Sequence, residues 1–310
     1  MPEQYAEVGG GITLCYEDVG SADAPPLLMV AGIGQQMIAW RDERVGDLAA
    51  RGLRVIRFDN RDAGLSTHLD RMPNLSRIFA GDRCSAPYTL TDMASDAARL
   101  LDVLGIGSAH VLGVSMGGMV AQMLAADHPE RVRSLTSIMS TTGERAVSEA
   151  TPEAQAVLLG PRPTSADEAG ERAVASARVI GSPGLLDEAW LRDLGRRAYE
   201  RAYDPAGFAR QLAAIWASGD RTAAVRSIRA PTLVIHGALD PLIPVAGGRA
   251  TAAAIDGAEL LVLDEMGHDL PPALWPRIAD AIVAHVQRAE TAGPREEIPQ
   301  SRDPASPTSA

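Results

Sequence analysis

The segment 109–125 limits the folds open to this 310-residue chain more than any other segment. An apolar run at 110–114 reads as a buried strand and ends in Gly-Val-Ser-Met-Gly, which has the form G-x-S-x-G and precedes a helical pattern. A turn from strand to helix in one residue requires a strained backbone at Ser115 and close approach at the flanking positions. We therefore predict that Gly113 and Gly117 form a nucleophile elbow, which lifts the serine hydroxyl clear of the sheet.

The rest of the chain alternates short apolar strands with amphipathic helices. The pattern predicts strands at 12–19, 27–30, 53–58, 110–114, 132–139, 232–236 and 259–263, and helices at 41–51, 90–104 and 275–288, besides the helix after the serine. Such alternation is typical of α/β proteins with a doubly wound, mostly parallel sheet.

One long segment interrupts this alternation. Residues 143–226 have helical periodicity and no strand pattern, and they leave the sheet after the strand that follows the serine. We therefore predict an α/β core at 1–142 and 227–288 with an inserted helical cap above the carboxyl ends of the strands, where open sheets bind ligands. A packing subdomain without substrate contact is the alternative. The Pro- and Ser-rich segment 289–310 is predicted to be a disordered tail.

Composition excludes several classes of protein. All 29 basic residues are arginine, so chemistry that needs a lysine amine, such as a Schiff base or a Walker A loop, is excluded. The net charge of −11 argues against nucleic-acid partners. The only cysteines, Cys15 and Cys84, form no C-x-x-C pair, so neither a zinc knuckle nor a disulfide framework is predicted. With no visible signal peptide or membrane span, we expect a cytoplasmic enzyme.

A serine nucleophile needs a base, and the best candidate is His268. It follows an apolar strand, in a loop that lies at the same rim of the sheet as Ser115. His236 also ends a strand, but we expect it to be a satisfied rim or core histidine.

The base in turn needs a carboxylate that fixes its tautomer. Asp240 follows the penultimate strand and is the predicted acid. Asp264, Glu265 and Asp269 are rivals because they are close to His268 in the sequence. Neighbours of a loop histidine rarely reach its far nitrogen, so we favour Asp240.

An oxyanion hole requires two N–H donors aimed at the developing negative charge. The backbone N–H of Met116, directly after the nucleophile, is predicted to supply one. The glycine-rich turn at 31–34 is predicted to supply the other through the N–H of Ile33.

Four segments, 55–67, 113–118, 231–235 and 266–271, carry a resemblance to a known family. Over about residues 8–288 the chain resembles the α/β-hydrolase superfamily, and within it bacterial carboxylesterases related to aclacinomycin methylesterase. The chain order Ser–Asp–His is that of the α/β-hydrolase fold. The resemblance implies a carboxylic ester hydrolase that needs neither a cofactor nor a metal. Many relatives have His-Gly where this chain has Ala31-Gly32, a change that a backbone donor survives.

These patterns predict a serine hydrolase that forms an acyl-enzyme with a small to medium apolar ester. Aromatic residues of the predicted cap favour an apolar pocket; they are Trp190, Tyr199, Tyr203, Phe208 and Trp216. The arginines of this segment are expected to form mostly a solvated helical face; they are those at 172, 178, 192, 196, 197, 201 and 210. Three alternatives stay open: a cofactor-free perhydrolase, a thioester or C–C bond hydrolase on the same residues, and a small-molecule receptor.

Overall fold

An eight-stranded sheet forms the centre of the computed structural model, which describes residues 2–292. The strands are β1 Gln4–Glu7, β2 Thr13–Val19, β3 Pro26–Val30, β4 Arg54–Phe58, β5 Ala109–Val114, β6 Val132–Ile138, β7 Thr232–Gly237 and β8 Glu259–Leu263. Their order is β1-β2-β4-β3-β5-β6-β7-β8. β2 is antiparallel to both of its neighbours, and the other pairings are parallel. The predicted doubly wound, mostly parallel sheet is confirmed.

Helices connect the strands and cover both faces of the sheet. They are α1 Asp42–Ala50, α2 Leu75–Phe79, α3 Leu90–Val103, α4 Met116–Asp127, α5 Arg145–Ser148, α6 Pro152–Leu159, α7 Ala166–Ile180, α8 Glu188–Arg201, α9 Pro205–Ser218, α10 Thr222–Val225, α11 Val245–Ala254 and α12 Trp275–Ala292. Within residues 2–292, no helix is both long enough and apolar enough to cross a bilayer.

The central strands are apolar on both faces because each face carries its own hydrophobic core. Alternate side chains of a strand point to opposite faces. Leu28 of β3 therefore packs with α3 and α4, whereas Leu27 packs on the other side with α1 and α12. Val111 and Leu112 of β5 divide in the same way. Burial on both faces fixes the end of β5, from which the serine projects.

The chain between β6 and β7, residues 139–231, forms a helical insert that contains α5–α10 and includes the predicted cap segment. Side-chain oxygens cap several of its helices. Asp187 accepts a hydrogen bond from the Trp190 N–H at the start of α8, and Asp204 accepts one from the Ala206 N–H at the start of α9. The boundaries of these helices are therefore set by local residues.

Two helices near the C-terminal end of the described residues, α11 and α12, differ from the prediction. α12 ends at Ala292, so residues 289–292 are helical, although they were assigned to the tail; residues 293–310 lie outside the described residues. In the last turn of α12, Glu290 lies 3.1 Å from the His110 ring and 3.2 Å from the Arg133 guanidinium. α11 was not predicted, because its Ala- and Gly-rich sequence has no clear apolar period.

Candidate active site

The turn between β5 and α4 holds Ser115 in a strained conformation, with φ 54° and ψ −122°. A Cβ atom on Gly117 would lie 2.1 Å from the Val30 carbonyl oxygen, and one on Gly113 would lie 2.1 Å from the Gly117 carbonyl oxygen. Both positions therefore require glycine. The Ser115 N–H donates to the Ile138 carbonyl at 3.0 Å, which ties the turn to β6. Ser115 therefore stands on a tight strand-to-helix turn between two close approaches of the backbone.

The loop after β8 brings His268 to the serine. Its Nε2 atom lies 3.0 Å from the Ser115 Oγ. The helical insert holds this loop in place, since the His268 N–H donates to the Ile180 carbonyl at 2.6 Å, and Ser182 Oγ accepts a bond from the Gly267 N–H at 2.9 Å. Residues at the end of α7 thus position the imidazole.

Asp240 completes the chain of hydrogen bonds from the opposite side of the ring. Its carboxylate is fully buried, and the Oδ2 atom lies 2.7 Å from His268 Nδ1. The Oδ1 atom accepts hydrogen bonds from the backbone N–H groups of Leu242 and Ile243, both at 2.9 Å. Burial by itself would raise the pKa of Asp240, but the charge of His268 and these hydrogen bonds lower it to about 2. The carboxylate is therefore ionised at neutral pH.

The rival residues lie elsewhere. His236 is buried, and its Nε2 lies 2.8 Å from the Ile243 carbonyl oxygen and 3.6 Å from Asp240 Oδ2, beyond hydrogen-bond distance. Asp269 accepts bonds from the N–H and the hydroxyl of Ser182. Asp264 and Glu265 are exposed. Ser182, which links Asp269 to Gly267, was missed because Gly-Ser-Pro in the sequence indicates only a turn.

The backbone N–H groups of Met116, which follows the serine, and of Ile33, in the turn after β3, have no acceptor among residues 2–292. The N–H of Met116 is the first of α4 and has no partner inside the helix. In the turn before α1, the neighbouring N–H groups are already bonded: Gly32 donates to Gln35 at 3.2 Å and Gly34 to Gln211 at 2.7 Å. The N–H groups of Met116 and Ile33 are therefore available to a ligand, and their role in an oxyanion hole stays a prediction.

The serine and histidine face a cavity of about 330 Å³ with a mostly apolar lining. The floor comes from the core, including Ile33 and Val114, and the roof comes from the helical insert. Of the predicted aromatics, Trp190 and Phe208 line this cavity, whereas Tyr199 and Tyr203 line an adjacent one of about 350 Å³. Trp216 packs against a small separate cluster with Ala213 and Ala217.

One group of side chains has the composition of a metal site. Ligand atoms of Asp62, His68 and Asp204 all lie within 4.8 Å of one another. The Arg210 guanidinium already occupies their midst, with NH2 2.9 Å from Asp62 Oδ1 and 2.7 Å from Asp204 Oδ2. A bound cation would have to lie against this fixed positive charge, so these residues do not fit a metal ion.

Known proteins resemble the chain along most of its length. Residues 25–271 match a family described as alpha/beta hydrolase fold. The chain is similar to the rhodomycin D methylesterase DauP of Streptomyces sp. (strain C5), with 32% identity over 90% of this chain and 96% of the relative. It is also similar to the putative non-heme bromoperoxidase BpoC of Mycobacterium tuberculosis, with 30% identity over 83% of this chain and 91% of the relative. Among solved structures, the enol-lactonase of Burkholderia xenovorans LB400 is 26% identical to this chain, with a TM-score of 0.68. The match covers 93% of this chain and 100% of the enol-lactonase.

The close approach at Gly117 gives a test of the elbow. We expect Gly117→Ala to lower the free energy of unfolding by about 2 kcal/mol or more, because the added methyl group collides with the backbone of β3. The control is Gly46→Ala in α1, where a Cβ meets nothing within 4 Å; it should stabilise the chain by about 0.5–1 kcal/mol. Urea denaturation measures both, and an unchanged Gly117→Ala variant would contradict the packing described.

The low pKa of Asp240 predicts a pH-dependent contribution to stability. The carboxyl group titrates near 2 in the folded chain and near 4 in an unfolded one. Its ionisation therefore stabilises the fold above pH ~4, and this contribution is lost as the pH falls through about 2. We expect Asp240→Asn to cost on the order of 2 kcal/mol at neutral pH and progressively less below pH ~4. Urea denaturation across this range measures the difference, and a cost independent of pH would refute the assignment.

Proposed function

Since the chain belongs to the alpha/beta hydrolase fold family, we propose that it hydrolyses carboxylic esters with Ser115 as nucleophile, His268 as general base and Asp240 as the carboxylate that orients the base. The family and the methylesterase relatives make the chain an esterase-like hydrolase. The observation that carries the assignment of residues is the continuous path of hydrogen bonds, 3.0 Å from serine to histidine and 2.7 Å from histidine to aspartate.

In the first half of the reaction, His268 Nε2 takes the Ser115 hydroxyl proton as Oγ attacks the ester carbonyl carbon. The N–H groups of Met116 and Ile33 stabilise the negative charge that develops on the carbonyl oxygen. The imidazolium then gives its proton to the oxygen of the leaving alcohol, the C–O bond breaks, and an acyl-enzyme remains on Ser115.

In the second half, a water molecule takes the place of the alcohol. His268 removes a proton from the water as its oxygen attacks the acyl carbon, and the same N–H groups hold the oxyanion. The proton returns to Ser115 Oγ as the acid product leaves. Asp240 stays ionised throughout and stabilises the imidazolium in both halves.

The helical insert acts as a cap in this proposal. Its residues Leu158, Ile180 and Trp190 line the cavity together with Ser115 and His268, which supports direct contact with substrate rather than a packing role alone. An apolar lining favours an apolar acyl or alcohol group next to the ester, because burying such a group releases water from apolar surface.

A perhydrolase is the second candidate, and the similarity to BpoC favours it. Hydrogen peroxide would then attack the acyl-enzyme in place of water and release a peracid. Measuring peracid from acetate and hydrogen peroxide distinguishes the two activities. We expect ester hydrolysis to be much faster, and the reverse would make the perhydrolase the main function.

Nitrophenyl esters with acyl chains of two to sixteen carbons test the proposed reaction. We expect the rate to be highest for short to medium chains, because the cavity beside the serine has a volume of about 330 Å³ and a roof formed by the insert. Ser115→Ala and His268→Ala should each lower kcat by roughly 10⁴–10⁶, and Asp240→Asn by about 10⁴, since each removes one part of the proton path.

The controls are Ser95→Ala on the exposed face of α3 and His128→Ala after α4, which should keep native rates. If Ser115→Ala kept the native activity toward esters, or if the native chain cleaved no ester at all, the proposed reaction would be wrong.

A further inference from the structure

A second cavity of about 350 Å³ adjoins the one that contains the nucleophile. The two cavities share part of their lining, including Ile33, Leu158 and Phe208, so they meet at these side chains. We call this second cavity the distal lobe. Most of its wall comes from α6–α9 of the helical insert.

Two arginines line the distal lobe without a carboxylate partner. Arg162 donates to the Leu158 carbonyl at 2.8 Å, and Arg172 donates to the carbonyls of Pro161 and Val157 at 2.6 and 2.9 Å. Within residues 2–292, neither guanidinium has an acidic side chain within 4.0 Å. A guanidinium carries five N–H donors, so each keeps donors that no protein group uses.

Among the described residues, Arg172 is the one arginine of α7 and α8 without an ion pair. The other arginines of α7 and α8 each form an ion pair; they are Arg178, Arg192, Arg196, Arg197 and Arg201. The expectation of a solvated arginine face is wrong for Arg210, which is buried and bridges Asp62 and Asp204.

No acidic side chain among residues 2–292 lies close enough to Arg162 to neutralise its positive charge. Burial lowers its pKa, and the charge of Arg172 lowers it further. The guanidinium carbon lies over the Phe208 ring, 3.7 Å from the centroid, and both residues line the lobe. The two carboxylates of the lobe, Asp62 and Asp204, are already paired with Arg210.

We propose that the distal lobe binds a carboxylate that the substrate carries at the end remote from its ester, held by Arg162 and Arg172. This inference rests on the proposed function and narrows it to esters with an apolar middle and an anionic far end. The negative charge of a carboxylate would offset the repulsion between the two guanidinium groups. Its oxygens would accept hydrogen bonds from their unused N–H groups, in the fork geometry that guanidinium groups favour. The shared apolar residues between the lobes suit the middle of such a molecule.

A purely structural role is the competing explanation, since both arginines donate to carbonyls at the end of α6 and can stabilise that helix end. The two roles differ in what they predict for substrate preference. Loss of a helix contact affects all esters alike, whereas loss of a carboxylate contact affects only the anionic ones.

The test compares nitrophenyl monoesters of dicarboxylic acids, from four to twelve carbons, with nitrophenyl esters of the neutral acids of equal length. We expect the native enzyme to prefer the anionic ester at one chain length. Arg162→Gln should lower kcat/KM for that ester by about tenfold or more, mainly through KM, and change the neutral ester less than twofold. Arg162→Lys should keep part of the preference, and Arg172→Gln should act in the same direction as Arg162→Gln.

The matched control is Arg178→Gln on α7, which removes an exposed arginine paired with Glu188 outside both cavities and should change neither ester. No preference for anionic esters in the native enzyme, or an equal loss on both esters in Arg162→Gln, would overturn the proposal.

If the native chain cleaved neither class of ester, the proposed function would fail first, and binding would test the lobe separately. We expect titration calorimetry to show octanedioate binding to Ser115→Ala, and binding at least tenfold weaker when Arg162→Gln is added. An absence of saturable binding would overturn the distal carboxylate site.

Discussion

The backbone of Ser115 is held at a positive φ by the tight packing of β5 and α4 against β3, and the other groups of the site are placed relative to that turn. A conformation of this kind costs about 1–3 kcal/mol and persists only where its surroundings impose it. The two flanking glycines allow the close approach, and the burial of α4 along nearly its whole length holds it. The hydroxyl therefore stands on the rim of the sheet, and the first N–H of the helix has no partner within the helix.

The electrostatics of the site follow from two loops that meet over this turn. Asp240 is buried yet ionised, because two backbone N–H groups and His268 supply the interactions that water would otherwise provide. The loop that carries His268 is tied to the helical insert through Ile180 and Ser182. The proposed catalytic groups and the helical insert therefore share one set of contacts, so displacement of the insert would also displace His268.

The sequence was most informative where a local steric rule admits few residues. Gly113, Ser115 and Gly117 could be predicted because a turn from strand to helix at one residue tolerates almost nothing else. Asp240 and His268 could be predicted from their positions after strands, since the carboxyl ends of parallel strands meet at one rim.

Features that depend on tertiary contacts were not predictable in this way. Arg172 and Arg178 lie on one helix and look alike in the sequence, yet Arg178 faces Glu188 whereas Arg172 lines the cavity. α11 lacks an apolar period, and the last turn of α12 is charged but meets His110 and Arg133 across the sheet. In each case the deciding contacts lie outside the segment itself, so no pattern within the segment reveals them.

The most direct test of the chemistry is the mass of the covalent adduct that forms with a nitrophenyl alkylphosphonate, mapped to a single residue by peptide mass spectrometry. The phosphorus centre mimics the tetrahedral intermediate, and its reaction requires a serine that a neighbouring base has activated. We expect one adduct per chain, located on Ser115, whose formation is slowed by orders of magnitude in His268→Ala. An unmodified chain, or an adduct on another residue, would contradict the central role of this serine.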